Sequence, residues 1–117
     1  MQFNEMPFED AIPVDGYGPG MFRIGGKVHE GPVFLCGERV LPWGGLADTE
    51  TVMEARGRVD FVIVGTGAEM THLPAAFRAV FDAAGIGLEP MASATAARTY
   101  NVLASEGRRV AVALLPV

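Results

Sequence analysis

Phe61-Val62-Ile63-Val64 and Val110-Ala111-Val112-Ala113-Leu114-Leu115 are unbroken apolar runs, and neither keeps a polar side to turn toward water. A strand that is apolar at every position is buried on both faces, as strands of parallel sheets covered by helices are. Both runs are shorter than an ordinary helix, and helical patterns of the length found in βα units lie between them. Residues 46–117 are therefore expected to form an α/β core, with 60–64 as the central strand and 108–115 as the last strand, also inside the sheet.

The helical patterns carry their own punctuation. Asp48 or Thr49 caps a helix over 49–57, Glu50 sits in its first turn, and Gly57 ends it in the left-handed conformation. Pro74 is read as the first residue of a helix to Ala84, with Phe77, Val80, Phe81 and Ala84 on one face and Gly85 closing it. Leu88-Glu89-Pro90-Met91 is a strand interrupted by proline and so belongs near an edge. Ser93 is read as the cap of a helix over 94–106, which Gly107 ends.

The first part of the chain has a different texture. Residues 1–20 show little periodicity, and Gly16-Tyr17-Gly18-Pro19-Gly20 reads as turn or loop, so this stretch is expected to be an irregular lead-in. Met21 to Ile24 and Lys27 to His29 flank Gly25-Gly26, a pair suited to the positive φ angles of a type I′ hairpin. Short β pieces at 33–36 and 38–41 follow, giving an antiparallel β layer over 21–45. A chain of 117 residues supports one core, so 1–117 is read as a single domain.

Several function classes are disfavoured. The net charge of −5 offers no clustered cation surface to displace counterions from nucleic acid. No apolar stretch approaches the roughly 20 residues needed to span a bilayer. The first ten residues, acidic and without a basic flank or apolar segment, do not read as a signal peptide, and a cytoplasmic location is expected. Cys36 is the single cysteine; with only His29 and His72 beside it, an internal disulfide is excluded and a zinc site is not expected.

The chemistry-bearing motifs are few. Gly65-Thr66-Gly67 follows a buried strand and precedes a helix, where backbone N–H groups can turn toward an anion. A dinucleotide fingerprint would need glycine where Met70 stands, so a plain strand-to-loop turn explains the pair as well. Arg98-Thr99-Tyr100-Asn101 cannot all face solvent at 3.6 residues per turn. In one reading Asn101 or Thr99 bonds a neighbouring loop backbone and Arg98 pairs with a surface acid. In the other, Arg98 stands beside the glycine loop as an anion partner. Arg98 near the positive end of the helix dipole calls for something negative, either Glu69 or an anion held by 65–67.

Trp43 is read as packed under its loop or presented as an interface anchor. His72 could be pictured as a base near the glycine loop, but no nucleophile accompanies it, and Cys36, in an apolar strand without a basic neighbour to lower its pKa, reads as a core residue. No catalytic triad, paired carboxylates or metal ligands can be assembled, so no catalytic residue, cofactor or metal is assigned. The candidate ligand or partner site is Trp43, Gly65, Thr66, Gly67, Arg98, Thr99 and Asn101.

Tyr17-Gly18 with Gly20, Phe22-Arg23-Ile24-Gly25-Gly26, Trp43, Val64-Gly65-Thr66-Gly67, Gly85-Ile86, Arg98-Thr99-Tyr100-Asn101 and Glu106-Gly107-Arg108-Arg109 together carry a resemblance that runs from about Ile12 to Pro116. They resemble the family of uncharacterised bacterial and archaeal proteins that includes the mitochondrial assembly factor three of respiratory complex I. The resemblance implies a three-layer α/β fold: a mixed, mostly parallel central sheet with one antiparallel strand, flanking helices, and an added N-terminal antiparallel β layer. It also implies a non-enzymatic helper role. With no mitochondrial targeting segment read in the chain, a free bacterial-type domain is expected.

Two functions are carried forward. The first is a protein-binding module that aids biogenesis of a respiratory membrane complex, its partner a subunit of that complex or another assembly factor, with weak self-association open. The second is a small anionic-ligand binder or enzyme with its site at the Gly65-Thr66-Gly67 loop.

Overall fold

The structure, a computed structural model, describes residues 11–117. The first ten residues of the lead-in lie outside the described residues. Its last part forms strand β1 (Val14–Gly18), which pairs antiparallel with β2 (Met21–Ile24), and β2 pairs antiparallel with β3 (Lys27–Glu30). The lead-in is thus not irregular throughout. Gly16 and Gly18 hid this strand, and the ladder forms because Val14, Phe22 and Ile24 bury their side chains on one side of it. Gly25 and Gly26 make the expected hairpin turn, with φ of 58° and 83°.

The second sheet contains β4 (Val33–Cys36), β5 (Arg39–Pro42), β6 (Phe61–Thr66), β7 (Gly87–Met91) and β8 (Val110–Leu115), in the order β5-β4-β8-β6-β7. The pairs β8/β6 and β6/β7 are parallel, while β4 is antiparallel to both its neighbours. One strand of five therefore runs against the rest, which is the mixed, mostly parallel sheet expected. Two placements differ from the sequence reading. The middle strand is β8, with β6 beside it, and β4 and β5 join this sheet instead of the N-terminal layer. The reason is burial: all four residues of β4 are buried, so this strand needs cover on both faces, as β6 does.

Three helices complete the fold: α1 (Thr49–Val52), α2 (Ala75–Ala83) and α3 (Ser93–Ser105). α1 is shorter than the expected 49–57 because Met53–Ala55 tightens into a 3₁₀ turn before Gly57, whose φ is 80°. α2 buries Phe77 and Phe81 but leaves Val80 exposed, so its inner face is narrower than the spacing suggested. β7 is an edge strand, which accommodates Pro90 without breaking a central ladder.

Alternation along the strands divides the core in two. Val62, Val64, Ala111, Ala113, Phe34 and Cys36 face the side covered by α1, α2 and Trp43. Ile63, Val110, Val112, Leu114, Val33 and Leu35 face the other side, covered by α3 together with Val14, Phe22 and Ile24 of the small sheet. The molecule is thus three layers deep, and α2 and α3 lie on opposite faces. β7 and β8 flank β6 on opposite sides, so the chain order reverses there, and the crevice at the carboxyl ends of β6 and β8 is where open α/β sheets hold ligands.

Candidate functional site

The carboxyl edge of the sheet gathers the glycine loop, the start of α3 and the end of β8. Gly65 has no room for a side chain: a Cβ there would lie 2.7 Å from Ser93 Oγ, 2.8 Å from Leu114 Cδ2 and 2.9 Å from Ser93 Cα. Gly67, at φ 103°, turns the chain so that its N–H donates to Ser93 Oγ at 2.9 Å, while its carbonyl accepts from Ser93 N at 2.8 Å. The Ser93 hydroxyl in turn donates to the carbonyl of Leu115 at 2.6 Å. Ser93 is fully buried and is the first residue of α3, not its cap; Ala92 holds the cap position without a side-chain bond. The crevice between β6 and β8 is therefore clasped by a protein hydroxyl.

Thr66 is also turned inward on its own loop. Its Oγ1 lies 2.7 Å from the carbonyl of Glu69 and 3.3 Å from that of Met91, and it accepts from the Thr71 amide at 3.0 Å. Gly67 N–H, the group best aimed for an anion, is committed to Ser93.

Trp43 follows β5 at the same edge and resolves in favour of packing. Its ring is buried, tilted against Phe77 at a centroid distance of 6.4 Å, and its Nε1 donates to the Asp48 carbonyl at 2.9 Å. Asp48 caps α1 as expected: its carboxylate accepts from the Thr51 amide at 3.1 Å, the Thr51 hydroxyl at 2.6 Å and the Gly44 amide at 2.9 Å. These hydrogen bonds, that from the Thr51 hydroxyl first, hold the Asp48 pKa below the ordinary carboxylate range.

Among the described residues, the side-chain hydrogen bonds of the Arg98-Thr99-Tyr100-Asn101 segment go to β1 and not to the glycine loop. Arg98 is exposed, and among the described residues the ion pair joins Arg39 to Glu54 at 3.0 Å, so the pairing of Arg98 with Glu69 does not form. Arg98 is the sixth residue of α3, beyond the first turn in which the dipole acts, and an exposed side chain of this length carries its charge into water. Thr99 is half-buried. Asn101 does what its alternative reading held: its Oδ1 accepts from Val14 N at 2.9 Å and its Nδ2 donates to Val14 O at 2.8 Å. An amide side chain thereby stands in for a neighbouring strand at the edge of β1, beside the bulge between Val14 and Gly16.

Asn101 also lines a cleft of about 340 Å³ between α3 and the segment entering β1, with Ala11, Ile12, Pro13, Tyr100, Ala104 and Ser105. Tyr100 is fully buried, and among the described residues its hydroxyl is the buried side-chain polar atom without a hydrogen-bond partner. Burial pushes the phenol well above its ordinary pKa, with the nearby Cys36 adding to the rise, so the group stays protonated. Leaving such a hydroxyl unpaired costs about 1–3 kcal/mol.

His72 is exposed, and among the described residues no group of three or more His, Cys, Asp and Glu is placed to hold a metal ion. Cys36 is buried; its burial raises the thiol pKa against the pull of Arg58 and Arg39, so the expectation of no basic neighbour is corrected. Sequence reasoning brought Trp43, Gly65, Thr66 and Gly67 to one edge but missed the linking role of Ser93. A glycine inside a buried apolar strand was the signal, since it marks a close approach of another chain segment. The sequence marks Tyr100 only through its motif, and nothing in it distinguishes a satisfied buried tyrosine from an unsatisfied one.

The comparisons with known proteins agree with this architecture. An uncharacterized protein of Rhodobacter capsulatus is 48% identical over 113 residues, covering 97% of this chain and 91% of that protein. NADH dehydrogenase (ubiquinone) 1 alpha subcomplex assembly factor 3 of Rattus norvegicus is 29% identical over 120 residues; the match covers 97% of this chain and 64% of the factor's length. A crystal structure described as an outer membrane protein from Bartonella henselae superposes with a TM-score of 0.81 at 30% identity, covering 92% of this chain and 97% of that one. No helix among the described residues is long and apolar enough to cross a membrane. The resemblance read from the spaced motifs is borne out, and a family model matches residues 14–115: the chain belongs to the family described as protein of unknown function DUF498/DUF598.

Proposed function

We propose that this protein is a non-catalytic protein-binding module that assists the assembly of a respiratory membrane complex from the cytoplasmic side. The partner in this reading is a subunit of that complex or another assembly factor. The observation that carries it is the match to assembly factor 3 of the NADH dehydrogenase, which extends over 97% of this chain at 29% identity. The internal bonding of the carboxyl edge supports it as well, because Gly67 N–H and the Ser93 hydroxyl serve the fold.

The competing reading is a small anionic ligand held by Gly65, Thr66, Gly67, Trp43 and Arg98. Two findings weigh against it: the Gly67 donor is already taken, and Trp43 is buried against Phe77. The deciding experiment is deletion of the gene in a host that builds NADH:quinone oxidoreductase, with the assembled complex quantified by native gel. A fall in assembled complex, restored by the intact gene, is expected. An unchanged level overturns the assembly reading.

A further inference from the structure

Tyr100, whose buried hydroxyl is unpartnered among the described residues, is also one of the residues that line the cleft beside α3. A phenylalanine would fill the same volume without an unpaired polar atom, so packing alone does not account for the oxygen. Among the described residues, the cleft that Tyr100 lines has no charged side chain in its walls. Ala11, Ile12, Pro13 and Ala104 supply apolar surface, and Asn101 and Ser105 supply neutral polar groups. Asn101 holds Val14 with its oxygen and with one of its two N–H protons, leaving the other. Ser105 donates to the carbonyl of Val102 at 2.7 Å and keeps its lone pairs. At about 340 Å³ the cleft lies at the small end of ligand sites.

We propose that the cleft between α3 and residues 11–13 binds a small uncharged molecule with an apolar frame and one carbonyl or hydroxyl oxygen, which pairs with the Tyr100 hydroxyl. An ionised ligand is disfavoured because none of the described lining residues compensates its charge. The Tyr100 oxygen is fully buried, so a ligand in the cleft reaches it by shifting one wall. Residues 11–13 are the wall suited to shift. Their backbone is tied by Ile12 N to Gly37 O and by Gly25 N to Pro13 O, each at 3.2 Å, toward the long end for such bonds. This site lies on the α3 side of the sheet, away from the glycine loop, and is independent of the assembly reading.

The test is a titration of the isotope-labelled full chain with cyclohexanone, followed by the backbone amide signals of Asn101, Ala104 and Ser105. Cyclohexanecarboxylate serves as the charged counterpart. Saturable shifts confined to these residues are expected with the ketone and absent with the carboxylate. Tyr100→Phe, which keeps the ring and so the packing, is expected to weaken ketone binding about tenfold, the loss of one good hydrogen bond. Ala104→Leu, which fills the cleft, is expected to abolish it. Absence of saturable shifts with the ketone, or equal affinity in wild type and Tyr100→Phe, overturns the proposal whatever Ala104→Leu does to the fold.

Discussion

The hydroxyl of Ser93 accepts the amide proton of Gly67 at 2.9 Å and, through its own proton, fastens both to the carboxyl end of β8 at Leu115. Three segments distant in sequence meet at one oxygen. Ser93→Ala removes both bonds and leaves a buried N–H and a carbonyl without their partner, so a loss of about 2–4 kcal/mol is expected in urea unfolding. Retention of wild-type stability would show that water or a backbone shift replaces the hydroxyl.

Gly65→Ala tests the same junction from the other side. The added Cβ would stand 2.9 Å from the backbone Cα of Ser93, which cannot rotate away as a side-chain tip can. A destabilisation of about 1–3 kcal/mol is expected, the usual cost of overpacking a tight core. The change should also alter the amide shifts of Gly67 and Ser93. Arg98→Ala, at an exposed position on the same helix, should stay within about 0.5 kcal/mol of wild type.

Asp48 makes α1 sensitive to acid. Its folded-state pKa is depressed by bonds from Thr51 and Gly44, so the stabilisation it provides is present above the ordinary value of 3.8 and disappears as pH falls through the folded value. Unfolding midpoints measured from pH 6 down to pH 2 should therefore drop less in Asp48→Asn than in wild type. At pH 7, Asp48→Ala should cost about 1 kcal/mol, the worth of a helix cap, and loosen Trp43 through the connected loop.

Asn101 holds β1 in place by pairing with both backbone groups of Val14. Asn101→Ala should cost about 1–3 kcal/mol and speed hydrogen exchange at the Val14 amide more than at Phe22, on the neighbouring strand. Exchange that rises equally at both positions would mean that the whole small sheet opens as one unit.

What the sequence disclosed follows from the range of the forces involved. The apolar runs of β6 and β8, the Gly25-Gly26 turn and the Asp48 cap are local patterns, and each stands where the residues indicated. The assignment of β4 to the large sheet depended on its partner β8, some 80 residues on, and no local period reports a partner. The role of Ser93 was hidden for a similar reason. A serine before a helical run has the pattern of a cap, and only the approach of Gly67 and Leu115 gives its hydroxyl other work. The expected pairing of Arg98 with Glu69 rested on a local dipole argument, while the neighbours of a side chain are set by how α3 lies across the sheet.

Tyr100 allows packing to be separated from hydrogen bonding. The ring fills the core between α3 and the sheet, and its hydroxyl has no partner among the described residues. Tyr100→Phe should therefore unfold in urea at pH 7 with a stability equal to wild type or higher by up to about 1 kcal/mol, because an unsatisfied polar atom is removed and the volume is kept. The alkaline limb should separate the two proteins further. A phenol whose folded-state pKa is raised above its ordinary value of 10.0 favours the folded state fully below pH 10, and that contribution declines as pH rises beyond it, since the unfolded chain ionises first. Wild type should lose stability between pH 10 and 11.5 more steeply than Tyr100→Phe in parallel urea titrations. Equal slopes would mean that the hydroxyl ionises in the folded protein as it does in the unfolded chain, so that water reaches it, and a clear loss of stability in Tyr100→Phe at pH 7 would show that the hydroxyl has a hydrogen-bond partner within the fold.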